Sequence, residues 1–323
     1  MHNDALPLAG IDVMDLLGSE WQSGSDDSEE ESAQGGNRQP LKGVAGESVH
    51  RRAAPRRVAQ RHVGNQIGQN RTGQKKPALR VVPSRDIERE WLAELGHLAD
   101  TSGHTEASSH ELVLAGVDEV GRGALAGPVS VGIATVTAAT SDSFPAGLRD
   151  SKMLTPTARE ALIAPCEQWV QAWAVGSASP HEIDRFGIIE ALRIAAARAT
   201  RVLADRGIHI DGVLLDGTHN WWTPTGLFEI DCAREEERDG IPELPDVPVR
   251  MVVKGDAHCA VIAAASVLAK VTRDSYMVDI AQRYPGYSFE CNKGYASAAH
   301  RRALIDRGPT EIHRISWHLP GVR

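Results

Sequence analysis

The sequence predicts an α/β protein, a mixed five-stranded sheet flanked by helices, preceded by a disordered N-terminal extension. Three observations predict it. Short apolar runs of strand length recur between Leu112 and Val253, rich in valine, leucine and isoleucine. The first two are joined only by a glycine-rich turn, which implies an antiparallel hairpin, whereas the later ones alternate with helix-period segments, which implies a sheet covered by helices. The first 83 residues lack both patterns.

Within residues 1–83 a short apolar stretch, Ile11 to Leu17, is followed by the acidic run Asp26-Asp27-Ser28-Glu29-Glu30-Glu31. From Arg38 to Arg80 the chain carries eleven Lys or Arg against one acid, Glu47. Such a segment cannot bury enough apolar surface to offset its ordering entropy. It is either a self-neutralising leader or a basic arm for nucleic-acid phosphates, and composition slightly favours the leader.

Order is expected from Ser84, a helix N-cap with Glu88 nearby, because Ile87, Trp91, Leu92 and Leu95 recur at helical spacing. A loose stretch, Asp100 to His110, separates that helix from the first strand, Leu112 to Asp118. Pro128 to Val136 is the second strand. Thr155-Pro156 opens a helix to about Gln171, since threonine caps and proline fits the first helical position. Ala172 to Ser177 is a third strand. Ser179-Pro180-His181-Glu182 is a capping box, and the alanine-rich helix Ile188 to Asp205 stops at Gly207. Gly212 to Leu215 and Val249 to Val253 are the remaining strands. Helices are expected at Ala257 to Arg283, stopped by Pro285-Gly286, and at Ser297 to Arg307, stopped by Gly308-Pro309. Residues 217–247, with Trp221-Trp222 and Glu235-Glu236-Glu237, form an irregular insertion of the length that usually carries function or disorder. The ordered domain is therefore 84–323, with 217–247 as an expanded loop.

The net charge of −8 argues against binding polyanions by bulk attraction, so any nucleic-acid reading must rest on local features. Cys166, Cys232, Cys259 and Cys291 are far apart and form no C-x-x-C pair, which indicates neither a zinc knuckle nor a disulfide framework. Without a membrane-length apolar run or a secretion signal, the expectation is a cytoplasmic protein that uses no membrane; a monomer is expected.

The chemistry-bearing candidates begin with VDEVGRGALAG, Val117 to Gly127. Its glycines do not make a dinucleotide cradle, because Pro128 and a β-branched strand follow where a helix would be needed. Asp118 and Glu119 at a strand end would ordinarily be one solvated acid and one paired with a base such as Arg122. A second strand-end acid changes the weighing. Asp216 closes the apolar run GVLLDG, and buried strands of one sheet deliver their ends to a common edge. A turn-forming aspartate ahead of Gly217 is an equal alternative there. Asp256 lies between a strand and a helix, where an N-cap is the ordinary role. Asp274 stands eighteen residues further, roughly 27 Å along a straight helix, so only one of them can join a compact site. Asp274 fits an i, i+4 pair with Lys270. Carboxylates converging on one edge would repel unless cations lay between them. An all-oxygen set suits a hard ion, Mg²⁺ or Mn²⁺, and two such ions suit phosphodiester hydrolysis.

In order, GVDEVGRGALAGPVSVG, LRDSKMLT, VLLDG, VVKGDAHCAVIAAASVLAKVTRDSYM, YPGYSFECNKGYASAAH and GPTEIHRISW resemble the motifs of the ribonuclease HII family, bacterial type 2 ribonucleases H, over Ser84 to Trp317. The resemblance implies an RNase H-like fold and an endonuclease that cuts the RNA strand of RNA–DNA hybrids and at single ribonucleotides in duplex DNA. It implies 5′-phosphate and 3′-hydroxyl products, two Mn²⁺ or Mg²⁺ ions, and roles in ribonucleotide and RNA primer removal during DNA replication and repair. Asp118, Glu119, Asp216 and Asp256 are implied as the catalytic metal ligands. Gly121, Arg122 and Gly123 are implied to approach the ribose 2′-hydroxyl, the group that distinguishes RNA from DNA. Tyr295 is implied to stack on the sugar on the DNA side, and Lys152 to contact a phosphate near the scissile bond. The substrates are thus RNA–DNA hybrid and ribonucleotide-containing duplex DNA, and protein partners are left unknown.

The chain departs from the family pattern in its long amino-terminal extension, its expanded insertion, and KGYAS in place of the commoner glycine-threonine ending. Ribonuclease HIII, the sister type, adds an ordered amino-terminal domain and usually lacks the arginine in the glycine turn, so Arg122 argues against it. A hybrid-binding module without catalysis would require a missing acid.

Overall fold

The computed structural model describes residues 82–101, 111–224 and 240–322. The extension before Val82, the stretch 102–110 and the acidic half of the insertion, 225–239, lie outside the described residues, together with the expectations made for them.

Five strands form one sheet: β1 (Leu114–Val120), β2 (Val129–Val136), β3 (Ala172–Ala178), β4 (Gly212–Asp216) and β5 (Val249–Val252). Their order is β3-β2-β1-β4-β5, with β1 to β3 an antiparallel meander and β4 and β5 added in parallel to β1. The strand β1 starts two residues later than the apolar run suggests and runs two further, so Asp118 and Glu119 lie inside the pairing opposite Gly132 and Val131.

Helices α1 (Asp86–Thr101), α2 (Pro156–Glu160), α3 (Ile163–Trp169), α4 (Pro180–Phe186), α5 (Ile188–Asp205), α6 (Gly255–His258), α7 (Ala260–Ile280), α8 (Phe289–Asn292) and α9 (Ala298–Arg307) surround the sheet. Each face has its own core. Ala115, Val117, Val131 and Ile133 pack under α5, while Leu114, Ala134 and Val136 pack with α7 and α3. The buried Trp221 and Trp222 join the α5 side, so the insertion is anchored in the core at its start. The alanine-rich α7 lies close enough to β1 that a Cβ on Gly116 would meet the Val261 backbone at 2.7 Å.

Two helices expected as continuous are broken, each for a local reason. Thr155 to Gln171 divides at Ala161-Leu162 because Pro165 lacks an N–H for the Ala161 carbonyl and its ring crowds that oxygen. Thr155 does cap the first half, accepting from the Ala158 amide at 3.2 Å. The expected helix Ala257 to Arg283 begins earlier, as the short turn α6, and is interrupted at Cys259, whose backbone is extended (φ −119°, ψ 123°). The break is bridged from α1. Ser84 exchanges backbone hydrogen bonds with His258 and Ala260, and the fully buried Glu88 accepts from the Val261 amide at 2.7 Å and the Cys259 thiol at 3.4 Å. Glu88 is thus a cap for α7 in addition to being a first-turn acid of α1. Burial pushes its carboxyl above the usual range, against the pull of Arg85 at 2.6 Å. Removing it leaves Arg85 and the Val261 amide buried with fewer acceptors, so Glu88→Ala is expected to lower the unfolding free energy by about 3 kcal/mol. Glu88→Gln should lose less, a ranking that urea midpoints measure.

A third cluster, Tyr276, Met277, Tyr287, Phe289, Leu304 and Ile312, closes the end of the sheet beyond β1. At its centre His300 Nε2 lies 3.1 Å from His313 Nε2, both rings buried. Burial, then the neighbouring His300, pushes His313 down to about 4, and burial lowers His300 as well, so both rings are drawn toward the neutral form. The segment 310–314 pairs with the glycine turn through an Ala126–His313 bridge and an Arg314 N–H to Leu125 carbonyl bond of 2.9 Å.

Candidate active site

Side chains alternate along β1, so Leu114 and Asp118 face α7 whereas Val117 and Glu119 face the other way. Asp216 ends the neighbouring strand β4, and Asp256 lies in the first turn of α6, directly after β5. The three aspartates, Asp118, Asp216 and Asp256, offer one carboxylate oxygen each within 4.8 Å of one another. Asp118 and Asp256 are buried, 5% and 4% exposed, and Asp216 is intermediate.

Burial, then the charge of Asp216, pushes Asp118 up to about 8, although the Ser266 hydroxyl draws it back. Asp256 is raised too, first by burial and less by Asp216, with Lys152 opposing. Asp216 Oδ1 accepts from the Gly255 amide at 2.6 Å, so it fastens α6 to β4 rather than serving only the turn at Gly217. Asp256 is not an N-cap: Lys254, in the left-handed region, occupies that position and Asp256 is free to face the cluster. Lys152 is mostly exposed, yet its Nζ stands 3.3 Å from Asp256 Oδ2. Burial would lower Lys152, but the charges of Asp118, Asp256 and Asp150 outweigh it and raise it. A cation is thus already drawn to the cluster from the protein itself. The cleft lined by Asp216, Asp256 and Lys152, with Asp150 and Lys254, has a volume of about 420 Å³.

This donor set fits a hard divalent ion: oxygen only, mutually repelling, buried on one side and open on the other. Glu119 is not in the trio. Its side chain lies on the opposite face of β1 and pairs with Arg122 at 3.2 Å, as the two-acid alternative foresees. Asp274 pairs with Lys270 at 2.7 Å and lies apart from the cluster, as its spacing implies.

The glycine turn stands at the same end of β1. The Gly121 amide donates to the Tyr295 hydroxyl at 3.1 Å, so the turn and Tyr295 form one surface, with Tyr295 36% exposed. The Tyr295 ring lies over Arg273 and Lys270, at 5.6 and 5.7 Å from its centroid.

The model of the family described as Ribonuclease HII matches residues 115–319, nearly two thirds of the chain. The chain belongs to the ribonuclease HII family. It is 43% identical over 211 residues to the ribonuclease HII of Streptomyces avermitilis, covering 65% of this chain and 79% of that one. It is 44% identical over 208 residues to that of Paracoccus denitrificans, covering 63% and 84%. A similar solved structure is the ribonuclease H2 of Pyrococcus horikoshii, 25% identical with a TM-score of 0.47, covering 65% of this chain and 95% of that one. The protein is a hydrolase, an endoribonuclease H acting on RNA–DNA hybrids, in a family that depends on divalent metal.

Two further residues of this ribonuclease HII reach the site without having been singled out in the sequence. Ser266 lies beside Asp118 and opposes the rise of its carboxyl, while its hydroxyl donates to Ser151 at 2.8 Å, tying the segment before Lys152 to α7. The available signal for Ser266 is its position as the polar interruption of AVIAAASVLA. Ser151 lies between the quoted Asp150 and Lys152. Among the described residues, Cys166, Cys259 and Cys291 are free thiols, and no helix is long and apolar enough to cross a membrane.

Proposed function

We propose that Asp118, Asp216 and Asp256, joined by Glu119, hold two divalent cations, Mg²⁺ or Mn²⁺, with which the enzyme cuts on the 5′ side of a phosphate. Products carry 5′-phosphate and 3′-hydroxyl ends. The convergence of three aspartates from β1, β4 and α6 carries this reading. Bound there, the cations supply an acidified water and positive charge at the departing oxygen. The carboxylates orient that charge, and Ser266 beside Asp118 favours its charged form. Glu119, on the other face at the end of β1, is proposed to come round to them once the partly exposed Arg122 releases it for a substrate phosphate. Lys152 sits where it can pass from Asp256 to a phosphate near the scissile bond.

The glycine turn is proposed to sense the ribose 2′-hydroxyl. The two glycines differ in a way that supports this. Gly121 is required by the protein itself, with φ +83° and Arg273 Nε 2.1 Å from where a Cβ would stand. Gly123 has nothing within 4 Å of that position and is exposed, so nothing inside the protein calls for a glycine there. Close approach of a ligand does. Tyr295 beside it is proposed to stack on the neighbouring deoxyribose. The substrates are then hybrids and duplex DNA carrying a single ribonucleotide, and the cellular task is ribonucleotide and primer removal.

The test compares a fully RNA–DNA hybrid with a DNA duplex carrying one ribonucleotide and analyses the ends. Both are expected to be cut, the second at the single ribose, with 5′-phosphate released. Refractory single-ribonucleotide duplex would restrict the enzyme to continuous hybrids.

A further inference from the structure

The sequence block GPTEIHRISW contributes nothing to the carboxylate cluster, yet it places a guanidinium with no exposed surface behind the glycine turn. Arg314 donates from Nη2 to the Gly121 carbonyl at 2.7 Å and from Nη1 to the Arg122 carbonyl at 2.9 Å. Nε and Nη2 both reach the Gly127 carbonyl, at 3.1 and 3.0 Å. Trp317 covers the planar group, its ring centroid 4.9 Å from Cζ. Arg273, 1% exposed, acts alongside: it donates to the carbonyls of Pro128, Lys293 and Ala126 at 2.8, 3.0 and 3.3 Å, and it lies under Tyr295. Among the described residues neither guanidinium forms an ion pair. Burying two cations without a carboxylate is costly, and the carbonyls they hold are those around one short turn.

Peptide geometry gives the consequence. Among the described residues there are no cis peptide bonds, and in a trans peptide the C=O and the following N–H point in opposite directions. Arg314 draws the carbonyls of Gly121 and Arg122 inward. The amides of Arg122 and Gly123 must therefore face outward, and neither has an acceptor among the described residues. They form two adjacent donors beside the one turn position whose Cβ space is open.

We propose that Arg314 is a positioning residue for ribose recognition: by holding two carbonyls inward it presents the Arg122 and Gly123 amides to a 2′-hydroxyl oxygen. Arg273 holds Tyr295 at the side of the same surface. The proposal rests on the turn being the ribose-sensing element. Lysine cannot substitute, because a point ammonium lacks the planar fork that spans three carbonyls at fixed angles.

The test measures affinity of the full chain, in an Asp118→Asn background that prevents cutting, for two duplexes differing by one 2′-hydroxyl. The background protein should prefer the ribose-containing duplex by about tenfold or more, as two added hydrogen bonds imply. Arg314→Lys should bring that ratio close to one while affinity for the all-DNA duplex stays within about twofold, because phosphate contacts are untouched. Trp317→Leu, which loosens the guanidinium without removing it, should lower the ratio partway. A purely structural role would lower the melting temperature and leave the ratio of the folded protein intact, and that result overturns the proposal. Should Arg314→Lys not fold, an unchanged ratio in Trp317→Leu overturns it alone. A ratio near one in the background protein would remove the ribose-sensing reading itself, and the proposal with it.

Discussion

Asp118→Asn is expected to reduce cleavage of an RNA–DNA hybrid by about 10³-fold or more, equivalent to roughly 4 kcal/mol of lost transition-state stabilisation. The same substitution should stabilise the metal-free protein. Burial and the charge of Asp216 raise Asp118 to about 8, whereas in the unfolded chain it titrates near 3.8. Between those values the folded state holds a proton that the unfolded state has released, so metal-free stability falls as pH rises through that window. Asparagine, similar in shape and uncharged, removes the dependence. The melting temperature of the chelator-treated wild type should thus fall from pH 5 to pH 8, and that of the variant should stay flatter. Added Mn²⁺ or Mg²⁺ should raise the wild-type value most at the high end, where the carboxylate is free to bind it. An aspartate kept for packing alone would show neither the activity loss nor the cation-dependent recovery.

The opposite signs of these effects reflect where the sequence was legible. The hairpin and the mixed character of the sheet could be inferred because β1 and β2 are joined by a turn too short for a crossover, and because helical segments stand between β2 and β3 and between β3 and β4. Asp118, Asp216 and Asp256 could be placed together because each follows or ends a buried apolar run, and adjacent parallel strands bring such positions to one edge. The break between α6 and α7 could not. It depends on Glu88, a residue 168 positions before Asp256 that reads as an ordinary first-turn acid of α1. Nothing in the local sequence from Gly255 to Ala260 forbids a continuous helix. The pairing of Glu119 with Arg122, by contrast, was legible locally as the ordinary role of a strand-end acid three residues before a base.

The glycine turn separates structural demand from recognition, and two alanine substitutions should show it. Gly121→Ala forces a Cβ into a backbone with φ +83° and against Arg273 Nε and the Pro128 carbonyl, 2.1 and 2.8 Å away. A left-handed conformation costs a non-glycine residue about 1–2 kcal/mol, and displacing a buried guanidinium adds to it, so a loss of roughly 3 kcal/mol in stability is expected. Activity should fall with it on every substrate. Gly123→Ala meets no atom within 4 Å and needs no positive φ, so its stability should stay within about 0.5 kcal/mol of wild type. Its methyl would nonetheless stand between the outward amides and a ribose. Cleavage of a single-ribonucleotide duplex should drop about 100-fold, near 2.7 kcal/mol, which is the size expected when two recognition hydrogen bonds are lost. Denaturant midpoints and kcat/KM for both variants decide the matter. If Gly123→Ala cut at the wild-type rate, the open space at that position would be free of substrate, and ribose recognition would have to be sought nearer Tyr295.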